Sequence, residues 1–196
     1  KSPGVDIIEM ADSNFAMFKQ DLEICDHIRG LQEKYSWPRN VGCSTGKNKP
    51  ELIIEAVSKL YPNSLVISNS MQSSNLETLE AIKRENISLE KYKIVQTEVQ
   101  RRGLRSKADL ILGLPLETKE THFSAIYGLI DSGVQEFVSY QAMILKDTDL
   151  GSKANRASYG FECKWRLIPR ALGLYDGAKN PLIVPECEEI IIATDT

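Results

Sequence analysis

Clustered cysteines are missing from this chain. Its four, Cys25, Cys43, Cys163 and Cys187, have no C-x2-C or C-x3-C spacing, so no single loop can gather three or four thiolates around a metal or cluster. Cys25 falls on the apolar side of an expected helix and Cys43 at the end of an expected strand, common places for a small buried hydrophobe. Histidine is scarcer: only His27 and His122 are present, each at a helical position with a polar neighbour, which argues against a zinc site or a histidine-based dyad. Runs of one charge are absent too. The 24 Lys and Arg against 27 Asp and Glu leave a net charge of -3, a poor basis for gripping duplex nucleic acid. No apolar run approaches the roughly 18 to 20 residues that cross a bilayer. The start, Lys1-Ser2-Pro3-Gly4, lacks the apolar segment of a signal peptide. The expectation is a soluble, cytoplasmic protein with no membrane partner.

What is present is a composition of 42% apolar and 26% charged residues over 196 positions, enough for one sizeable core. Short β-rich apolar runs alternate with longer stretches of helical period, the pattern of parallel strands joined by crossover helices. Expected strands cover 5–11, 39–44, 65–69, 107–112 and 136–145. Between the first two, Phe15, Phe18, Leu22, Cys25, Ile28 and Leu31 recur at threes and fours and predict a helix with an apolar stripe. Pro50 opens the second crossover, with Leu52, Ile53, Ala56, Val57 and Leu60 on one face. The third reads as two helices, 75–84 and 89–101, closed by Gly103. The fourth starts at the cap Thr118, runs through Phe123, Ile126 and Ile130, and ends at Gly133.

These units recur about every 30 residues, the size of one βα unit of a (β/α)8 barrel. Five parallel strands cannot close such a barrel. The expected fold is therefore α/β: an open partial (βα) barrel of about five parallel strands with outer helices, strand 65–69 in the middle. The first βα unit is expected to be absent, and the exposed edges leave room for an edge-to-edge dimer. Residues 1–150 would form this partial barrel. Residues 151–196, where Gly, Ser, Asn and Pro interrupt short apolar pieces, would form an irregular wrapping tail with one late strand at 189–194. Phe161, Trp165, Leu167, Ile168 and Leu172 could seal the arc, with Arg166 and Arg170 as surface charge.

Ligands of parallel βα folds sit outside the carboxyl ends of the strands, which ranks five loops as candidates. Asp12-Ser13-Asn14 follows the first strand and Ser44-Thr45-Gly46-Lys47-Asn48 the second. Ser70-Met71-Gln72-Ser73-Ser74-Asn75 follows the third, the 113–118 loop the fourth, and 145–149 the fifth. The stretch from Gly42 to Asn48 falls short of a phosphate loop, with one residue too few between its glycines and Asn48 in place of the metal-holding hydroxyl. Asp12 and Asn14 read equally well as a helix cap or as ligand contacts, and Ser73, Ser74 and Asn75 admit the same cap reading. The Gly113-Leu114-Pro115 turn is more informative, since a glycine after Leu110-Ile111-Leu112 lets a flat ligand approach the backbone and Pro115 stiffens the loop.

The segment Asp109-Leu110-Ile111-Leu112-Gly113-Leu114-Pro115-Leu116-Glu117-Thr118 resembles the fifth-strand segment of radical S-adenosylmethionine enzymes, a strand ending in G-L-P-G-E-T. Leu116 stands where that family usually has its second glycine. The 70–75 loop with Leu79 and Arg84 resembles the fourth-strand segment of the methylthiotransferase and cobalamin-binding branches. Asp12-Ser13-Asn14-Phe15 is similar to their second-strand ending, and 140–150 to their sixth. Lys164 to Arg170 looks like the cobalamin-binding branch.

The resemblance implies S-adenosylmethionine and a 4Fe-4S cluster as cofactors of the intact enzyme, with cobalamin in the branch it matches best. Cleavage of S-adenosylmethionine to a 5′-deoxyadenosyl radical would then drive hydrogen abstraction from a substrate that the sequence does not name. It further implies that Gly113, Leu114 and Pro115 flank adenine, and that Ser70, Gln72 and Ser73 contact ribose or the amino acid part. Asp12 and Asn14 would lie near the amino group, and Tyr140 would face the substrate. None of these carries out the bond cleavage, which belongs to the cofactor.

The family's C-x3-C-x2-C cluster loop is not in this chain. The expectation is therefore a core fragment, inactive by itself and without a stably bound cofactor, with that triplet encoded shortly before Lys1. Two rivals stand beside it: an acid/base βα lyase or isomerase built on Asp12 and Lys47, and a non-catalytic half-barrel that binds a partner through its edges.

Overall fold

The computed structural model describes residues 4–46, 49–86, 88–175 and 182–194. Residues Lys47 and Asn48 of the second loop lie outside them, and so does the lysine of the acid/base alternative.

The expected alternation is present. Strand β1 (Ile7–Glu9) leads to helix α1 (Gln20–Tyr35), β2 (Asn40–Gly42) to α2 (Pro50–Lys59), and β3 (Ile67–Gln72) to α3 (Leu76–Ala81) and α4 (Leu89–Arg101). Then come β4 (Ser106–Leu112), α5 (Lys119–Asp131), β5 (Glu136–Gln141), β6 (Met143–Ile144), α6 (Lys153–Ser158), β7 (Glu162–Tyr175) and β8 (Leu182–Ala193). Strands β1 and β2 pair in parallel, and so do β3 and β4.

The helix signals act as read. Asn75 accepts from the Glu77 amide and Ser88 from the Lys91 amide at the starts of α3 and α4. Thr118 accepts from the Thr121 amide at 3.1 Å, satisfying N–H groups that a helix start leaves without intrahelical partners. Gly103 and Gly133 close their helices with φ of 64° and 74°, a region where a side chain is costly.

The helix faces differ in part from those expected. On α1 the buried residues are Asp21, Cys25, Ile28 and Gln32, while Phe18, just before it, is 61% exposed. Gln32 replaces Leu31 in the stripe because it donates to the Pro38 carbonyl and accepts from the Tyr61 amide, and so enters the interior satisfied. On α5 the face turned inward carries Ala125 and Leu129, leaving Phe123 and Ile130 exposed.

The five strands do not form one described ladder. They divide into a β1-β2 pair and a β3-β4-β5 sheet, so 65–69 opens its sheet instead of standing in the middle of five. Thr45 supplies the physical reason. Its hydroxyl donates to the Ser68 carbonyl and accepts from the Ser68 amide, occupying both groups of Ser68 that a ladder would use.

The segment 136–145, expected as one strand, breaks at Ala142. Its last part, β6, joins an antiparallel β6-β8-β7 sheet. The tail expected to be irregular therefore holds two long strands. Trp165 and Leu167 are 70% and 60% exposed, whereas Phe161 packs against an apolar cluster. The side chains of Arg170 and Leu172 lie outside the described ones.

Two compact units result, and they cut across the expected boundary at residue 150. The first comprises Lys1–Gln72, Asn86–Leu110 and Ser124–Val138, and the second Ser73–Glu85, Ile111–Phe123 and Ser139–Thr196. In the first, Phe15, Cys25, Ile28, Val41, Ile53 and Val57 are among a large buried cluster under α1 and α2. Met71, Tyr92, Ala108, Leu110, Ala125 and Leu129 form a second cluster beneath α4 and α5. In the second unit Leu114, Ala142, Ile144 and Ile191 make a smaller apolar centre.

Candidate functional site

Each unit presents its own group of candidate residues. Asp12, Asn14, Ser70 and Gln72 lie in the first, and Ser73, Gly113, Leu114, Pro115 and Tyr140 in the second.

In the first unit, the chain leaving β1 stays beside that leaving β2, through a parallel bridge between Phe15 and Thr45. An open cleft of about 560 Å³ at these carboxyl ends is lined by Glu9, Met10, Ala11, Asp12, Ser13, Cys43 and Ser44. Asp12 does not cap α1, which begins at Gln20. Its Oδ1 instead accepts from the Asn14 amide at 2.8 Å, an Asx turn that holds the loop. Burial pushes the Cys43 thiol up to about 12. Cys43 packs against the core, surroundings that disfavour the thiolate.

Strands β3 and β4 place the remaining candidates of this unit. Along β4, Ser106, Ala108 and Leu110 are buried while Lys107 and Asp109 alternate with them. Ala108 and Leu110 pack with the helices, so Lys107 and Asp109 point to the opposite face. Ser68 pairs with Lys107 and Ser70 with Asp109, which puts both serines on that face as well.

After Ser70 the register shifts, and Gln72 takes a φ of 64° opposite Leu110. Left-handed backbone costs a residue with a side chain roughly 1–2 kcal/mol, and such strain collects at ligand sites. Gln72 Oε1 and Asp109 Oδ1 are both buried without a hydrogen-bond partner among the described residues. Lys107 Nζ stands 3.5 Å from Asp109 Oδ1, near enough for attraction only. Two acceptors without donors, one on each of two paired strands, suit a ligand that brings O–H or N–H groups. Asp109 was not singled out from the sequence, since only the alternation of burial along β4 separates it from the core residues beside it.

In the second unit, a cleft of about 270 Å³ is lined by Gly113, Glu117, Thr118, His122 and Gln141, together with the end of β8. Gly113 has a φ of 85°. A Cβ there would meet Gln141 Nε2 at 3.1 Å and the Ile191 carbonyl at 3.3 Å. The space beside this glycine is thus filled by the protein and not left for a ligand on that side. Leu114 and Pro115 are buried, Leu114 within the apolar centre, whereas Tyr140 is 48% exposed.

Ser73 Oγ donates to Glu117 Oε1 at 2.7 Å and accepts from the Asn75 amide at 3.1 Å. Glu117 Oε2 lies 3.2 Å from His122 Nδ1, and His122 Nε2 lies 3.0 Å from Ser139 Oγ. Burial raises the Glu117 carboxyl above its usual range, against the bonds from Ser73 and His122. His122 was discounted from the sequence, yet it joins a carboxylate and a hydroxyl. No spacing announces this, because Ser73 and Glu117 are 44 positions apart and His122 and Ser139 are 17.

No protein-family model matches the chain. Among curated proteins, 2-(S-pantetheinyl)-carbapenam-3-carboxylate methyltransferase of Streptantibioticus cattleyicolor is 29% identical over 171 residues, covering 86% of this chain. The cobalamin-dependent radical SAM methyltransferase TokK of Streptomyces tokunonensis is 28% identical over the same length and share. This chain spans about a quarter of either relative, 24%.

Among solved structures, the radical S-adenosylmethionine methyltransferase TsrM of Kitasatospora setae, with cobalamin and a 4Fe-4S cluster bound, superposes with a TM-score of 0.59 at 14% identity. That match covers 91% of this chain and 34% of TsrM. The same enzyme with tryptophan substrate and a SAM analogue gives 0.54 at 14% identity over 88% and 33%. The chain is thus similar to radical S-adenosylmethionine enzymes of the cobalamin-dependent branch, the resemblance its loops carry, and shares their α/β fold. Among the described residues no helix is long and apolar enough to cross a membrane.

Proposed function

We propose that this chain is the core segment of a cobalamin-dependent radical S-adenosylmethionine methyltransferase, and that β3 and β4 hold the ribose of S-adenosylmethionine. The observation that carries the reading is a pair of buried acceptors without a hydrogen-bond donor among the described residues, Gln72 Oε1 and Asp109 Oδ1, the latter 3.5 Å from the Lys107 ammonium; the two ribose hydroxyls would satisfy both as donors. Ser70, paired with Asp109, adds a polar group on the face that Asp109 occupies. Asp12 and Asn14 remain the proposed neighbours of the amino group, and Tyr140 of the substrate.

The adenine role narrows to the backbone of Gly113 to Pro115, because the Leu114 and Pro115 side chains are buried. Ser73, with its hydroxyl given to Glu117, supports the loop instead of the ligand. The cofactors supply the radical and methyl-transfer chemistry when bound, and this chain's residues orient the nucleoside. For the 4Fe-4S cluster the residues do not fit: the four cysteines have no triplet spacing, and Cys25 and Cys43 pack into separate elements of the core. The reading therefore assigns the cluster ligands to another part of the parent protein and expects this chain alone to be inactive.

The test is calorimetric titration of the chain with S-adenosylmethionine. Asp109→Ala and Gln72→Ala should each weaken binding about tenfold, the equivalent of ~1.4 kcal/mol. Binding that ignores both substitutions, or no binding by the unaltered chain, would sink the ribose assignment.

A further inference from the structure

We propose that Ser73, Glu117, His122 and Ser139 form a positioning strap that fixes the loop between β4 and α5, with His122 acting through Glu117 and not on a ligand. All four lie in the second unit. They come from four places in the chain: the loop after β3, the loop after β4, the first turns of α5, and β5. Ser73, Glu117 and His122 are 0%, 7% and 6% exposed.

The polar atoms of the strap can be assigned without conflict. Ser73 donates to Glu117 Oε1; with the proton on Nδ1, His122 donates to Oε2 and Ser139 donates to Nε2. If Glu117 carries the proton and donates it to Nδ1, His122 Nε2–H donates to Ser139 and the same contacts persist. The strap is thus indifferent to where its proton sits. Asn75 strengthens it by donating from Nδ2 to the Leu116 carbonyl.

The strap matters because the loop it holds bears strain. Leu116 adopts a φ of 59° and Gly113 one of 85° within five residues of Glu117, and a loop bent this far needs anchors from outside itself. Glu117 and His122 also line the cleft beside Gly113, so loosening them would alter that wall. The identity of the ligand, and it alone, rests on the function proposed above.

The test compares amide hydrogen exchange over residues 113–118 in the unaltered chain and in His122→Leu, His122→Asn and Ser139→Ala. Loss of the imidazole should speed exchange in that loop at least tenfold. His122→Asn, whose amide stands where Nδ1 stood and still donates to Glu117, should recover most of it, a rescue that loss of packing alone would not give. Nitrogen-15 spectra supply a second readout. With exposed His27 as the only other histidine, His122 should keep both ring nitrogens hydrogen-bonded whichever of them bears the proton, and nitrogen shifts matching those of a freely hydrated imidazole would overturn the proposal. If His122→Leu does not fold, Ser139→Ala decides: faster exchange over 113–118 upholds the strap, and unchanged exchange overturns it.

Titration with S-adenosylhomocysteine separates the two claims. An exchange response in a chain that does not bind the nucleoside upholds the strap and refutes the cofactor reading. Binding with no exchange response refutes the strap alone.

Discussion

The two units are held in opposite ways. The first buries Phe15, Leu65, Leu110, Leu129 and Val99 almost completely, under helices whose apolar periods are written in the chain. The second has a small apolar centre of four buried residues and a strap in which a buried hydroxyl, carboxylate and imidazole end on exposed Ser139. Apolar burial is non-directional and tolerates modest changes of geometry. A buried polar chain contributes only while each bond is made. The first unit is therefore built for stability, and the second fixes a particular loop.

The largest expected effect tests the contrast by substituting one apolar residue from each unit. Leu129→Ala, at 0% exposure in the first, should lower unfolding free energy by about 2–5 kcal/mol, from lost transfer plus the cavity left behind. Trp165→Ala, at 70% exposure on β7 of the second, should change it by less than about 0.5 kcal/mol despite its greater size. Urea denaturation of both variants checks this. Similar losses would mean that the hairpin of β7 and β8 contributes a core that its exposure does not suggest.

A smaller effect, opposite in sign, is expected in the strapped loop. Leu116 occupies a left-handed position, φ 59°, at 37% exposure, which costs roughly 1–2 kcal/mol for a residue with a Cβ. Leu116→Gly relieves that strain and gives back about 0.5–1 kcal/mol through the greater freedom of glycine when unfolded. A net stabilisation of about 0.5 kcal/mol should appear as a raised denaturation midpoint, and destabilisation would mean that the Leu116 side chain contributes packing. The family resembled by this loop has glycine at that place, and the positive φ supplies the physical reason.

The smallest effect belongs to the first unit's surface. Glu98 accepts from both Arg101 and Arg102, and these bonds hold its carboxyl down at about 2. A folded value below the unfolded one, about 4.3, gives stability that is present above pH ~4 and lost as pH falls through about 2. The difference in melting temperature between the unaltered chain and Glu98→Gln should therefore shrink over that window. Because the pair is exposed, it should also shrink with added salt. A difference that grows on acidification would refute the sign.

The chain by itself determined its local elements. Asn75, Ser88 and Thr118 cap helices because a short side-chain oxygen satisfies an N–H that the helix cannot. Gly103 and Gly133 end helices because only glycine enters positive φ without cost. The parallel βα alternation was legible as period, and the 109–118 segment as part of a family resemblance that the similarity to a cobalamin-dependent radical SAM methyltransferase supports. Long-range polar geometry decided the rest. Thr45 divided the strands into two ladders by taking both backbone groups of Ser68, and Gln32 rather than Leu31 entered the core because two backbone partners awaited it. Glu117 and His122 became a strap through Ser73 and Ser139, far from them in the chain, and Gln72 Oε1 and Asp109 Oδ1 were buried without a hydrogen-bond donor among the described residues. Helical and strand periods repeat within a few residues and can be read along the chain, whereas a hydrogen bond between distant residues exists only once folding has brought donor and acceptor within about 3 Å.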